Sequence, residues 1–118
     1  MRPLSLIACL ICLATPALSD LPLACDGEAP EWHLTLAGPV AQFDFVRKND
    51  FEVPQSNTAE GRDWPKAYTL ISEFDTAIVL IDEASCEVGG QTWPITAHIL
   101  TQRGQQPILL TGCCTVAE

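Results

Sequence analysis

Two adjacent cysteines near the carboxyl end, Cys113 and Cys114, constrain the fold of this chain more than any other feature. A bond between them would close a small ring that strains the intervening peptide, so each is expected to pair elsewhere. On a strand, neighbouring side chains point to opposite faces, so two bridges would leave the strand on opposite sides. We predict the disulfides Cys86–Cys113 and Cys25–Cys114, and the exchanged pairing of these cysteines stays open.

This pairing requires an oxidising compartment, and the amino-terminal residues predict export to one. Arg2 is followed by an apolar run from Leu4 to Leu18 that ends in a small-residue cleavage pattern, as in a secretory signal. The run is shorter than the ~20 apolar residues that span a membrane, and it contains a proline. We therefore predict a signal peptide at 1–19, a single domain at 20–118 and a periplasmic location. The alternatives are an anchor formed by an uncleaved signal and a lipoprotein.

The net charge of the chain limits the kinds of molecule that it is expected to bind. The 118-residue chain has a net charge of −9, and residues 20–118 keep 5 basic and all 15 acidic residues, which gives −10. Such a charge disfavours nucleic acid and anionic lipid surfaces, and it would steer a cationic protein towards the domain. A domain of this length buries only a modest core, so disulfides would add needed stability. Association with a membrane is expected only through lipidation or a retained signal.

The hydrophobic pattern predicts an all-β fold. Apolar and polar residues alternate in short runs that are separated by Gly, Pro and polar turns, and no run has a helical period. Residues 76–81 are almost all apolar, which predicts a strand buried on both faces. We predict an antiparallel barrel or sandwich of about seven or eight strands, with an exposed loop at 55–63, a crossover at 82–90 pinned by Cys86 and a hairpin loop at 103–106. The predicted strands are 32–36, 41–45, 51–53, 67–71, 76–81, 93–101 and 107–114.

Two motifs give a resemblance to a known group of proteins. The segment 25–34 reads Cys-Asp-Gly-Glu-Ala-Pro-Glu-Trp-His-Leu, and 86–96 carries a Cys followed by Trp-Pro-Ile-Thr, with Gly-Cys at 112–113. These motifs resemble the opening and ending of a family of small, exported, largely uncharacterised bacterial envelope proteins. Where that family often has a small polar pair after its Cys, this chain has Glu87-Val88. In architecture the chain is loosely similar to periplasmic barrels that inhibit lysozyme, although it has no Ser-Gly pair of the kind those inhibitors present.

The candidate binding residues are the three tryptophans, Trp32, Trp64 and Trp93, which could form an aromatic ligand platform or simply pack in the core. No pattern predicts a catalytic residue, a metal ligand or a cofactor. His33 and His98 occupy polar positions of alternating strands and are interpreted as surface residues. Two weaker alternatives are a copper(I) thiolate pair at 113–114 and a calcium site made by Asp82, Glu83 and Glu87.

These features favour a non-enzymatic binding protein of the cell envelope or periplasm. The predicted mechanism is binding through a loop surface or through the open end of the barrel. The alternatives are an inhibitor of a cationic cell-wall hydrolase such as lysozyme and a carrier of a small apolar ligand. A carrier would need an apolar cavity, whereas a barrel whose interior is filled would favour binding at the surface.

Overall fold

The computed structural model describes residues 22–102 and 106–117, and within them it forms a closed barrel of eight antiparallel strands. A separate two-stranded hairpin is inserted between the sixth and seventh strands of the barrel. The predicted signal peptide and residues 103–105 of the predicted hairpin loop lie outside the described residues. The strands are β1 Leu23–Glu28, β2 Glu31–Ala37, β3 Val40–Phe45, β4 Arg47–Thr58, β5 Lys66–Ile71, β6 Thr76–Asp82, β7 Cys86–Val88, β8 Gln91–Trp93, β9 Ile95–Gln102 and β10 Ile108–Val116.

The barrel is an antiparallel meander. Each of β1 to β5 pairs with the next strand, β6 pairs with β9 across the inserted hairpin, and β10 pairs with both β9 and β1. Because the first and last strands pair, the sheet has no free edge that could join another sheet. The all-β barrel prediction is confirmed and the sandwich alternative is wrong. The described residues include no helix able to cross a bilayer.

Alternation along the strands decides which side chains enter the barrel. In β2, Trp32, Leu34 and Leu36 are buried while the residues between them are exposed. The same period of two holds in β9, where Ile95, Ala97, Ile99 and Thr101 are buried. One face of each of these strands therefore packs in the barrel interior and the other faces solvent, as the sequence pattern predicts.

The prediction that residues 76–81 are buried on both faces is wrong. In β6, Ala77, Val79 and Ile81 point inward, but Ile78 and Leu80 remain 42% and 44% exposed on the outer surface. A single-layered barrel covers only the inner face of each strand, so an apolar run does not need a second buried face.

Three strands also differ from the prediction. β1 was not predicted as a strand, because its alternation includes Gly27 and a half-buried Asp26. β4 runs on to Thr58, so the exposed loop begins after that residue, and Pro54 is accommodated where the pairing with β5 shifts register. The predicted strand 93–101 is broken at Pro94, which has no backbone N–H to donate to a ladder. The predicted crossover at 82–90 contains β7, which is the first strand of the inserted hairpin.

The barrel interior is filled by side chains. Trp32 is fully buried and its ring meets Phe43 edge-on at a centroid distance of 6.2 Å. The indole Nε1–H donates to the backbone oxygen of Thr111 at 3.2 Å. Gly27 and Gly112 lie against the same indole, because a Cβ at either position would overlap its atoms. The two motifs that carry the family resemblance therefore meet at one buried side chain.

Both predicted disulfides are confirmed. Cys25 and Cys114 are direct cross-strand partners on β1 and β10, and their bond lies inside the barrel at the point where the sheet closes. The Cys86–Cys113 bond lies on the outer side of β10 and attaches the β7–β8 hairpin to the barrel wall. The two bridges leave β10 on opposite faces, as the adjacent cysteines predict. Two disulfides in so small a domain are typical of proteins from oxidising compartments.

Candidate functional site

The open end of the barrel beside Pro94 holds an apolar cavity of about 270 Å³, which we call the mouth. Its floor is made by four buried, mostly apolar side chains that point inward from four different strands. They are Leu23, Tyr68, Ile81 and Ile95. Pro94 lies between β8 and β9, and Trp64 precedes the start of β5.

The rim of the mouth combines one aromatic ring with two opposite charges. Trp64 is half-buried, and the Lys66 ammonium lies 5.1 Å from the centre of its ring. The same ammonium donates to the Thr58 hydroxyl at 3.4 Å. The exposed Glu83 and Val116 complete the rim. This arrangement can surround a small apolar group with an aromatic wall and offer one positive and one negative group to a polar substituent.

A second concave surface, the acidic cleft, lies between the outer faces of β1 and β2 and the β7–β8 hairpin. It has a volume of about 280 Å³ and is lined by Asp26, Gly27, Glu28, Glu31, His33, Val88, Gly89, Gln91 and Trp93. The cleft depends on the Cys86–Cys113 bond, which attaches the hairpin to the outside of the barrel. A second link joins the hairpin to β1, because the Gly89 N–H donates to the Glu28 carboxylate at 3.2 Å.

His33 links two of the carboxylates in the acidic cleft. Its Nδ1 lies 2.7 Å from Asp26 Oδ1, and its Nε2 lies 3.2 Å from Glu31 Oε2. The hydrogen bond with Asp26 raises the pKa of His33 above 6.5, and partial burial opposes that rise. A raised pKa means that the positive form binds its partners more tightly in the folded chain. This contribution to stability is present below pH 6.5 and is lost as the pH rises through the raised pKa.

The three candidate tryptophans lie at three different places. Trp32 is fully buried in the core, Trp64 forms the rim of the mouth and Trp93 lines the acidic cleft. They do not surround one shared cavity. Sequence periodicity could place Trp32 in the core, but it could not separate the other two, since each sits next to a proline at the start of a predicted strand or just before one. Ligand contact with Trp64 or Trp93 stays a prediction.

Within residues 22–102 and 106–117, no group of three or more His, Cys, Asp or Glu side chains is placed to hold a metal ion. Asp82 is the last residue of β6, and its carboxylate accepts from the N–H of the exposed Glu83 that follows it. Cys113 and Cys114 are both in disulfides, so neither offers a thiolate. His33 and His98 are exposed, as the strand pattern predicts.

Sequence reasoning missed the carboxylates of the acidic cleft. These carboxylates could be predicted to cluster only if β1 were assigned as a strand, because the β1–β2 pairing sets Asp26 opposite His33 and Glu28 opposite Glu31. Because β1 was not predicted, the sequence pattern places these residues in a charged segment before or at the start of the first predicted strand. Comparisons of the chain with models of protein families, with curated proteins and with solved structures find no match.

Proposed function

We propose that this chain is an exported, non-enzymatic binding protein that takes up a small apolar group at the mouth of its barrel. The observation that carries the proposal is the aromatic-walled cavity formed by Trp64 above Tyr68 and Ile81. Membership of the resembling envelope family and a periplasmic location rest on the sequence motifs and belong to the same proposal.

The size of the mouth limits what it can hold. Ligand pockets usually measure about 300–1,000 Å³, and the mouth, at about 270 Å³, lies just below that range. The interior beneath it is filled by the core, so a long lipid chain has no room to enter. A fitting occupant is a small aromatic or branched aliphatic compound, or one apolar side chain of a larger partner.

The test uses a neutral naphthalene fluorophore as the probe and protein purified after export. We expect saturable binding at one site, with a Kd on the order of 100 µM, because a small apolar ligand gains limited free energy from one cavity. Trp64→Ala removes the aromatic wall and should weaken binding about tenfold. The measurement is the change in probe fluorescence on titration with protein.

Trp93→Ala is the matched control, because it removes the same side chain from a surface outside the mouth. It should leave the affinity for the probe within a factor of about two. Two results contradict the proposal: probe binding that does not saturate, and an equal loss of affinity in the Trp64 and Trp93 variants. Thermal unfolding of each variant shows whether it is folded.

The acidic cleft supports a second candidate function, which is binding of a cationic protein such as a lysozyme-type hydrolase. Its support is the set of carboxylates from Asp26, Glu28 and Glu31 around His33, beside the ring of Trp93. Carboxylates and an aromatic face together suit the ammonium or guanidinium group of a partner side chain. The net charge of the domain would speed the encounter.

This candidate predicts that binding to a cationic C-type lysozyme weakens as salt increases, because screening reduces the attraction between opposite charges. Binding should also weaken as the pH falls through the raised pKa of His33, because protonation adds a positive charge to the cleft. Isothermal titration calorimetry measures both effects. Asp26→Asn should weaken binding about tenfold, whereas Glu83→Gln removes the same charge at the mouth and should change it little. An equal effect of the two variants would argue against the cleft.

A further inference from the structure

The outer surface of the barrel is divided into two unlike halves. Most outward-facing residues of β5, β6, β9 and β10, leaving out Asp82 and the positions beside it, form what we call the uncharged wall, made up of Ala67, Thr69, Ile71, Thr76, Ile78, Leu80, His98, Leu100, Gln102, Leu109 and Thr111. None of these residues is Asp, Glu, Lys or Arg. Asp82, at the end of β6, lies at its border.

The opposite half carries most of the charge of the barrel wall. We call it the acidic wall, and its outward-facing acidic residues on β1 to β4 are Asp26, Glu28, Glu31, Asp44, Asp50 and Glu52. Lys48 is a basic residue of this face and is the cross-strand partner of Asp44. An exposed strand face usually carries polar and charged residues, as the acidic wall does. The uncharged wall departs from that rule over four adjacent strands.

The apolar side chains of the uncharged wall are contiguous. Ile78 is the direct cross-strand partner of Leu100, and Leu100 is in turn the partner of Leu109. These three side chains are 42%, 47% and 68% exposed, and Leu80 lies next to Ile78 on the same face of β6. A contiguous exposed apolar patch on a small protein marks an interaction surface more often than an accident of composition.

We propose that the uncharged wall is the contact surface for a second copy of this chain, in a symmetric dimer. Two copies with a net charge of −9 each repel one another wherever their acidic surfaces approach. Apart from Asp82 at its border, the uncharged wall lets two copies meet without bringing carboxylates together. Because one patch on each subunit meets the same patch on the other, an apolar surface without charge is complementary to itself.

The dimensions of the wall predict a weak dimer. Four strands about 4.8 Å apart and three rows of side chains about 6.8 Å apart cover on the order of 400 Å². A stable interface of standard size buries about 800 Å² on each partner. We therefore expect a dissociation constant on the order of 100 µM rather than a permanent dimer.

Sedimentation velocity of the exported, processed protein from about 10 µM to about 1 mM tests the proposal. The expected result is a concentration-dependent shift from monomer to dimer. Added salt should strengthen association, because it screens the repulsion between two acidic copies. That response is opposite in sign to the weakening expected for a cationic partner. A monomer throughout this range, or a dimer that dissociates on addition of salt, overturns the proposal.

Two variants locate the contact surface. Leu100→Glu places a charge in the centre of the uncharged wall and should weaken dimerisation at least about tenfold. Gln42→Glu adds the same charge to the acidic wall and should change it less than about twofold. Leu109→Thr adds no charge and should weaken association by a factor between those of the two glutamate variants. It replaces Leu100→Glu as the test if that variant does not fold. Equal effects of the two glutamate variants, or an unaffected dimer in Leu109→Thr, overturn the assignment of the surface.

Discussion

Replacing Gly27 with alanine is expected to lower the free energy of unfolding by about 3 kcal/mol. The new Cβ would overlap Nε1 and Cε2 of the Trp32 indole, which is fully buried. A shift of the ring would also break its hydrogen bond to the backbone oxygen of Thr111. Urea denaturation, followed by tryptophan fluorescence, measures the change.

A double-mutant cycle supplies the control for this prediction. Trp32→Leu removes the ring atoms that the new Cβ would meet, and it should itself cost about 3 kcal/mol because it leaves a cavity. In that background, Gly27→Ala should cost less than about 1 kcal/mol, which corresponds to a coupling of about 2 kcal/mol between the two positions. If the two losses simply add, the glycine is needed for a reason other than its contact with the indole.

Removing the Cys25–Cys114 bond by a double alanine substitution is expected to lower the free energy of unfolding by about 4 kcal/mol. The two cysteines are separated by 89 residues, so the bond restricts nearly the whole domain in its unfolded state. It also joins β1 to β10, which is the pairing that closes the barrel. The loss is large compared with the ~5–15 kcal/mol that stabilises a typical domain.

The Cys86–Cys113 bond is the matched control for this experiment. It encloses a shorter segment, with a separation of 27 residues, and it attaches the β7–β8 hairpin rather than closing the sheet. Its double alanine variant should keep a folded barrel and lose amide protection in the hairpin first, as measured by hydrogen exchange. If both variants lower global stability equally, the hairpin and the barrel unfold as one unit and the proposed division between the two bonds is wrong.

Strand alternation explains why much of the fold could be predicted from sequence. Runs such as Trp32 to Leu36 encode both the strand and its buried face, because the side-chain period of two is local. The adjacent cysteines encoded two bridges on opposite faces for the same reason. The prediction failed at 76–81, since an apolar run does not tell whether a second layer covers the strand. It also failed at β1, where a glycine and an acidic residue interrupt the alternation.

The candidate sites depended on contacts that no local pattern encodes. The mouth brings together Leu23 and Trp64, and the acidic cleft brings Asp26 next to Trp93. These neighbours come from segments that are far apart in the sequence. Their proximity follows from the register of the β1–β2 and β5–β6 pairs and from the position of the hairpin on β10.

The sequence by itself determined that this chain is a disulfide-linked β domain, with strand faces and bridges that follow from alternation and from neighbouring cysteines. Tertiary structure decided that the sheet closes, that Gly27 and Gly112 meet at one indole, and that the charged and uncharged strands gather on opposite sides of the barrel. The physical reason is that alternation assigns each side chain to a face of its own strand, whereas closure and register decide which strands are neighbours.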